Sequence, residues 1–234
     1  MYKEIDETIS IDQLLELYPP LQRSIRGNLV LSINGSVTSN GKSKELSSNV
    51  DRLIFHHLRA ISSYIVVGAK TSILEPYGPV NKYLKYSELR STLGLEPTPR
   101  LAVIASGSRS LTPLSRLGTN ANKVLVFTPE TNDISDIPKS LDVITVAPDR
   151  RFLQHIMEYL KERSEGTILC EGGPTLLSNL IDSNQVDELC LTVAPQLISK
   201  DNHTTFAGKV ARSISLIAIA SDHTHIYLRY RVRE

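Results

Sequence analysis

Glu171-Gly172-Gly173-Pro174-Thr175 puts a carboxylate, two residues without side chains, a helix-starting proline and a hydroxyl into one short run. Apolar Thr167-Ile168-Leu169-Cys170 precede it, and Leu176-Leu177 begin helical spacing after it. A buried strand should therefore turn tightly into a helix here. Glycine takes positive φ and lets a ligand approach without meeting a Cβ. Pro174 suits a first helical turn, where a missing N–H costs nothing. The free N–H groups and positive dipole end of that helix form an anion site, most often used for phosphate. A carboxylate repels phosphate, so Glu171 is expected to accept hydrogen bonds from a second, polar ligand.

Other groups bear on the same chemistry. Ser106-Gly107-Ser108-Arg109 follows a predicted strand, and its hydroxyls and guanidinium could grip a phosphate in two-point fashion or form an ordinary polar turn. Lys70 either turns inward to pair with a phosphate or stays solvated, and Tyr77 either covers a flat ring or packs in the core. His56-His57 is no acid–base pair, because adjacent helical residues point about 100° apart. Cys170 and Cys190 lie in apolar runs and are read as reduced core residues. Two isolated cysteines and six histidines show no metal-ligand spacing, so no metal is expected.

These groups need a scaffold. The spacing predicts a first helix around Ile11, Leu14, Leu15 and Leu17, stopped by Pro19-Pro20, then a strand over 29–33 closed by Asn34-Gly35. A polar loop leads to a helix over 48–61 capped by Ser47 or Ser48, followed by a strand over 64–67. Residues 69–99, with Pro76, Gly78, Pro79, Pro97 and Pro99, are expected to form a long irregular segment. Strands are predicted at 101–105, 123–127, 143–146, 167–170 and 188–193, and helices at 151–161 and 175–181. The end of the chain, 213–220 and 224–231 around Ser221-Asp222-His223, is predicted to be a hairpin. The fold class is α/β: a mostly parallel central sheet flanked by helices, with a C-terminal antiparallel hairpin.

At 234 residues with 41% hydrophobic and 22% charged residues, the chain can build a substantial core. A net charge of +1 advertises neither a nucleic-acid nor a membrane surface. The charged start and the lack of a long apolar run lead us to expect a cytoplasmic protein.

Several segments, in order, resemble one family. Ser32-Ile33-Asn34-Gly35, Leu58-Arg59-Ala60, Val67-Gly68-Ala69-Lys70-Thr71, Glu171 to Thr175, Val186-Asp187-Glu188-Leu189 and Ala194-Pro195 together look like the RibD C-terminal domain family. These are the pyrimidine reductases of riboflavin biosynthesis, with a dihydrofolate-reductase-like fold. Leu17-Tyr18-Pro19-Pro20 resembles the stand-alone members. The resemblance implies an N-terminal helical extension over 1–25 and a reductase domain over 26–234. It implies NADPH-dependent reduction of 5-amino-6-(5-phosphoribosylamino)uracil at the sugar C1′, and a homodimer, for which Ile214, Leu216, Ile217 and Ile219 offer apolar surface. Cofactor contacts carried over from the family are Leu31, Thr71, Glu75, Ser106, Arg109, Gly172, Gly173, Pro174, Thr175 and Leu176; substrate contacts are Asn28, Ser43, Arg59 and Glu171. No catalytic proton donor is assigned.

The chain also departs from the family. Asn34 replaces an aspartate, Glu45 a tryptophan, Lys70 a glycine, Glu75 an aspartate and Asn28 a lysine. Two further readings stay open: a pterin or folate reductase on the same fold, or a nucleotide-binding regulator without turnover.

Overall fold

The computed structural model describes residues 2–74, 84–107, 114, 124–135, 137–199 and 211–232. Its strands are β1 (Tyr2–Glu4), β2 (Ile25–Ser32), β3 (Ser62–Gly68), β4 (Arg100–Ile104), β5 (Leu125–Pro129), β6 (Asp142–Val146), β7 (Thr167–Gly172), β8 (Glu188–Ala194), β9 (Ser215–Ser221) and β10 (Ile226–Arg231). The helices are α1 (Ile11–Leu17), α2 (Asn49–Ala60), α3 (Ala69–Leu74), α4 (Ser87–Thr92), α5 (Phe152–Glu162) and α6 (Pro174–Asp182). All described strands join one sheet in the order β1-β9-β10-β8-β2-β7-β3-β4-β5-β6. From β8 through β6 every pairing is parallel, whereas β10 is antiparallel to both β8 and β9. The expected α/β sheet with its C-terminal hairpin is present.

Alternation along the strands assigns side chains to faces. Ile25 and Leu29 of β2, with Ile168 and Cys170 of β7, pack under α5 and α6 against Ile156, Leu160, Leu177 and Leu180. The other face of β7 and β8 offers Leu169 and Cys190 to α1 and α2, through Leu14, Leu17, Val50, Ile54 and Leu58. Both helices on that face begin at good caps. Ser48 Oγ accepts the Asp51 N–H at 3.0 Å. Ser10 and Gln13 form a reciprocal capping box.

Sequence reasoning missed two short helices and a strand. The segment read as irregular contains α3 and α4, each only six residues long, too short for apolar periodicity to declare itself. Strand β1 has three residues and exists through its parallel pairing with β9, so no local pattern marks it. Beyond β1, the N-terminal segment is tied in by a buried charge cluster. Arg26, fully buried, donates to Glu188 Oε2 at 2.8 Å and to the Pro19 carbonyl at 2.8 Å. Arg229 also donates to the Leu17 carbonyl.

His57 fastens α2 to the end of α1. It is fully buried, and its Nε2 lies 3.1 Å from the Tyr18 carbonyl, which makes that nitrogen the donor of a neutral ring. Desolvation pushes its pKa down from 6.5 to about 4. Between those two values the unfolded chain binds a proton that the folded chain refuses, so stability falls as pH drops through this window. The loss approaches about 3 kcal/mol by pH 4. Asp51 acts the other way: burial raises its pKa above 3.8, so folded protein takes up its proton first and regains part of that loss. At Asp222, desolvation is outweighed by hydrogen bonds from Tyr227, His225 and Thr224, which hold its pKa below 3.8. Its contribution is present above that pH and is lost only below it. We expect His57→Gln to flatten the decline of the urea midpoint between pH 7 and 4.5. An unchanged slope would remove His57 from this account.

Candidate functional site

The parallel strands β7, β3 and β4 end together, with β2 running on past them beside β8, and in sheets of this kind ligands bind beyond the carboxyl ends. At that edge β7 runs into α6 through Gly172 and Gly173. Gly172 has φ +86°, a region that favours glycine, and the peptide joining it to Gly173 is cis. Gly173 caps α6 and Pro174 opens it. Pro174 has no N–H, and those of Thr175 and Leu176 fall in the first turn, where no intrahelical acceptor exists. Thr71, on α3, reaches across: the Gly173 N–H donates to its Oγ1 at 2.9 Å. A Cβ built at Gly173 would lie 3.0 Å from the same oxygen. The turn is thus a backbone cradle kept open by a missing side chain and fixed by a threonine.

This cradle suits the diphosphate of a dinucleotide, because its donors are backbone N–H groups at a helix start and no acid side chain points from the turn itself. Leu31 lies on the same sheet face, beside Leu29 and packed against the core under α6. Leu176 also turns its side chain to that core, so only its N–H is available to a ligand. Thr175 is exposed and Pro174 half-buried. Ser106 sits exposed two residues past β4, two strands away from β7 along the sheet edge. Glu75, Tyr77, Ser108 and Arg109 lie outside the described residues. Lys70 is exposed.

Of the expected substrate contacts, Glu171, Arg59 and Asn28 gather on the opposite face. Glu171 takes a two-point grip from Arg59: Nε donates to Oε1 at 2.5 Å and a terminal nitrogen to Oε2 at 2.7 Å. Their side chains are only 5% and 11% exposed. Arg59 stacks its guanidinium 4.0 Å above the Phe55 ring, one helical turn earlier on α2. Register places Asn28 nearby. Gly27 pairs with Cys170 across β2 and β7, so the next residues along those parallel strands are Asn28 and Glu171. Asn28 also pairs with Cys190, whose side chain belongs to the α2 face. Ser43, half-buried, begins a short 3-10 turn over Ser43–Leu46 beyond the end of β2.

The expected contacts therefore divide between the two faces. The cradle and Leu31 lie toward α6; Asn28, Arg59 and Glu171 lie toward α2. They meet where β7 ends, since Glu171 and Gly172 are consecutive. Phe55 escaped sequence reasoning, although its position four residues before Arg59 on one helix was the available signal. The direct pairing of Arg59 with Glu171 left no mark in the sequence, because the partners are separated by 112 residues. Among the described residues no group of His, Cys, Asp and Glu could hold a metal, and no helix is long and apolar enough to cross a membrane. Burial pushes the Cys170 thiol up to about 12 and that of Cys190 to about 11, so neither is a nucleophile at neutral pH.

Known proteins resemble this one along most of its length. The 2,5-diamino-6-ribosylamino-4(3H)-pyrimidinone 5′-phosphate reductase of Archaeoglobus fulgidus is 29% identical over 189 residues, covering 78% of this chain and 85% of that protein. The riboflavin biosynthesis protein RibD of Haemophilus influenzae is 25% identical over 173 residues; the match covers 73% of this chain but 46% of that longer protein. Among solved structures, a pyrimidine reductase-like protein of Corynebacterium diphtheriae superposes with a TM-score of 0.74 at 24% identity, covering 97% of this chain and 100% of the other. That likeness shows a shared fold. The sequence also matches a family model over residues 23–225, and on that match the chain belongs to the RibD C-terminal domain family.

Proposed function

We propose that this protein is an NADPH-dependent reductase of riboflavin biosynthesis acting on a phosphoribosylaminopyrimidine. One observation carries the reading: a side-chain-free anion cradle and an arginine-oriented carboxylate occupy consecutive residues at the end of β7. The first is built for a dinucleotide and the second for a polar ring.

When bound, the reduced nicotinamide supplies a hydride to C1′ of the ring-opened substrate imine. The C=N electron pair moves to nitrogen, which takes a proton, and water suffices as its source. This chain's residues bind and orient. Gly172, Gly173 and the N–H groups of Thr175 and Leu176 hold the diphosphate, with Thr71 fixing the turn and Ser106 toward the adenosine end. The adjacent acid, Glu171, is turned to the other face and held there by Arg59, which keeps its charge from repelling the diphosphate. Glu171 and Asn28 accept and donate hydrogen bonds to the pyrimidine. Because Arg59 is engaged with Glu171, the 5′-phosphate falls to Ser43 and the exposed Lys42 and Lys44 on either side of it. A cytoplasmic homodimer belongs to the same reading, with Leu216, 53% exposed on β9, as part of its contact.

Two related substrates fit: the aminouracil and the diaminopyrimidinone named for the Archaeoglobus relative. The test is NADPH oxidation by the purified protein with each compound. Turnover of either, in preference to dihydrofolate, is expected. Turnover of dihydrofolate alone would move the protein to pterin chemistry, and NADPH binding without any oxidation would make it a regulator.

A further inference from the structure

Three rim segments at the ends of β2 and β8 are knitted together by side chains that the reductase reading does not use. Asn34 Nδ2 donates to the Ile198 carbonyl at 2.8 Å, and the Ile198 N–H donates to Asn34 Oδ1 at 3.1 Å. The primary amide thus pairs with one peptide unit as a neighbouring strand would. That pairing fixes which amide atom is oxygen, since a carbonyl needs a donor and an N–H an acceptor. Ser32 Oγ donates to the same Oδ1 at 2.8 Å while accepting the Ser36 N–H at 2.8 Å, which locks the turn from which Asn34 projects. Alongside, the Ile33 N–H donates to the Gln196 carbonyl at 3.0 Å. Gln196 Nε2 in turn donates to the Glu45 carbonyl at 2.8 Å, and Asn40 Nδ2 donates to Glu45 Oε2 at 2.9 Å. Residues 32–36, 40–46 and 196–198 form one continuous hydrogen-bonded rim, and Ser43 sits within its middle segment.

We propose that Asn34 is a positioning residue that latches the segment after β8 to the turn after β2, and so holds the Ser43 loop in place for the substrate. This rests on the reductase reading of the site and adds to it a residue that touches neither ligand. The latch needs a side chain with a donor and an acceptor side by side at this length. Alanine offers neither. Aspartate can accept from the Ile198 N–H but sets a second lone pair against the Ile198 carbonyl, so it is expected to open the latch as fully as alanine does.

The experiment compares wild type, Asn34→Asp and Asn34→Ala as full-length protein. Amide hydrogen exchange of the peptide spanning 195–198 should accelerate about tenfold in both variants, because two hydrogen bonds to an exposed segment are lost. With NADPH saturating, KM for the phosphoribosylaminopyrimidine should rise about tenfold while kcat and the NADPH Kd stay within about twofold. A residue that merely supported the fold would lower Tm and leave KM alone. Exchange unchanged in Asn34→Asp overturns the latch, and so does faster exchange with KM unaltered. The two hypotheses fail separately: wild-type protein that turns over neither pyrimidine defeats the proposed function, whereas the exchange of 195–198 judges the latch without any substrate.

Discussion

Gly173→Val is expected to weaken NADPH binding about a hundredfold, equivalent to about 2.8 kcal/mol, while leaving the protein folded. The φ of −56° at this position lies outside the positive region that favours glycine. The expected effect is argued from space. The first carbon of the new side chain would already stand 3.0 Å from Thr71 Oγ1, tighter than most real contacts, and two methyl groups follow it. They either displace Thr71, breaking its 2.9 Å bond with the Gly173 N–H, or enter the cradle where a diphosphate must approach the backbone. Gly173→Ala should fall between, because Thr71 need yield only a few tenths of an ångström. Valine is also a poorer helix cap than glycine, which should lower stability by about 1 kcal/mol, small beside the binding loss. Fluorescence titration of NADPH against the three proteins, each checked by thermal melting, measures the series. A folded valine variant with wild-type affinity would end the assignment of this turn to the dinucleotide.

The strand-to-helix turn is legible in the sequence because its signals are local: an apolar run, two glycines, a proline and renewed helical spacing lie within a dozen residues. The succession of strands and the terminal hairpin are legible for the same reason. What local reading cannot supply is the division of the candidate site residues between the sheet faces. That follows from alternation along β2 and β7 once the two are known to be neighbours in register, and neighbours in this sheet lie far apart in sequence. The Arg59 grip on Glu171 and the Asn34 pairing with Ile198 are long-range for the same reason. Both residues stand out singly in the sequence, Arg59 as a substrate contact implied by the resemblance and Asn34 as the replacement of an aspartate. The structure gives each a partner, and the partner changes its meaning. Arg59 is an orienting group for a carboxylate, and Asn34 gains an amide donor that a carboxylate lacks. Helices α3 and α4 show another limit, since a six-residue helix is set by what it packs on more than by its own pattern.

Glu171→Gln is expected to lower kcat/KM for the pyrimidine about a hundredfold with NADPH affinity within about twofold of wild type. The asymmetry follows from the faces: the carboxylate points toward α2 and Asn28, and the backbone cradle proposed for the diphosphate lies toward α6. Glutamine keeps the length and one acceptor, but its amide sets N–H groups against one arm of the Arg59 fork and against any donor on the substrate ring. Arg59→Ala should behave differently. It strips the two-point partner from a carboxylate whose side chain is 5% exposed and removes the cation stacked on Phe55. Losing one member of a buried pair costs about 3 kcal/mol or more, chiefly through the charge left behind, so this variant should show a clear fall in urea midpoint. Pairing the two substitutions tests the link. If Arg59 acts through Glu171, the Arg59→Ala/Glu171→Gln double variant recovers part of the stability lost by Arg59→Ala alone, because the stranded charge is gone, yet turns over no faster than Glu171→Gln. Strictly additive losses in both stability and kcat/KM would mean that the two residues work independently, and equal damage to NADPH binding and turnover in Glu171→Gln would place the carboxylate on the cofactor's side after all.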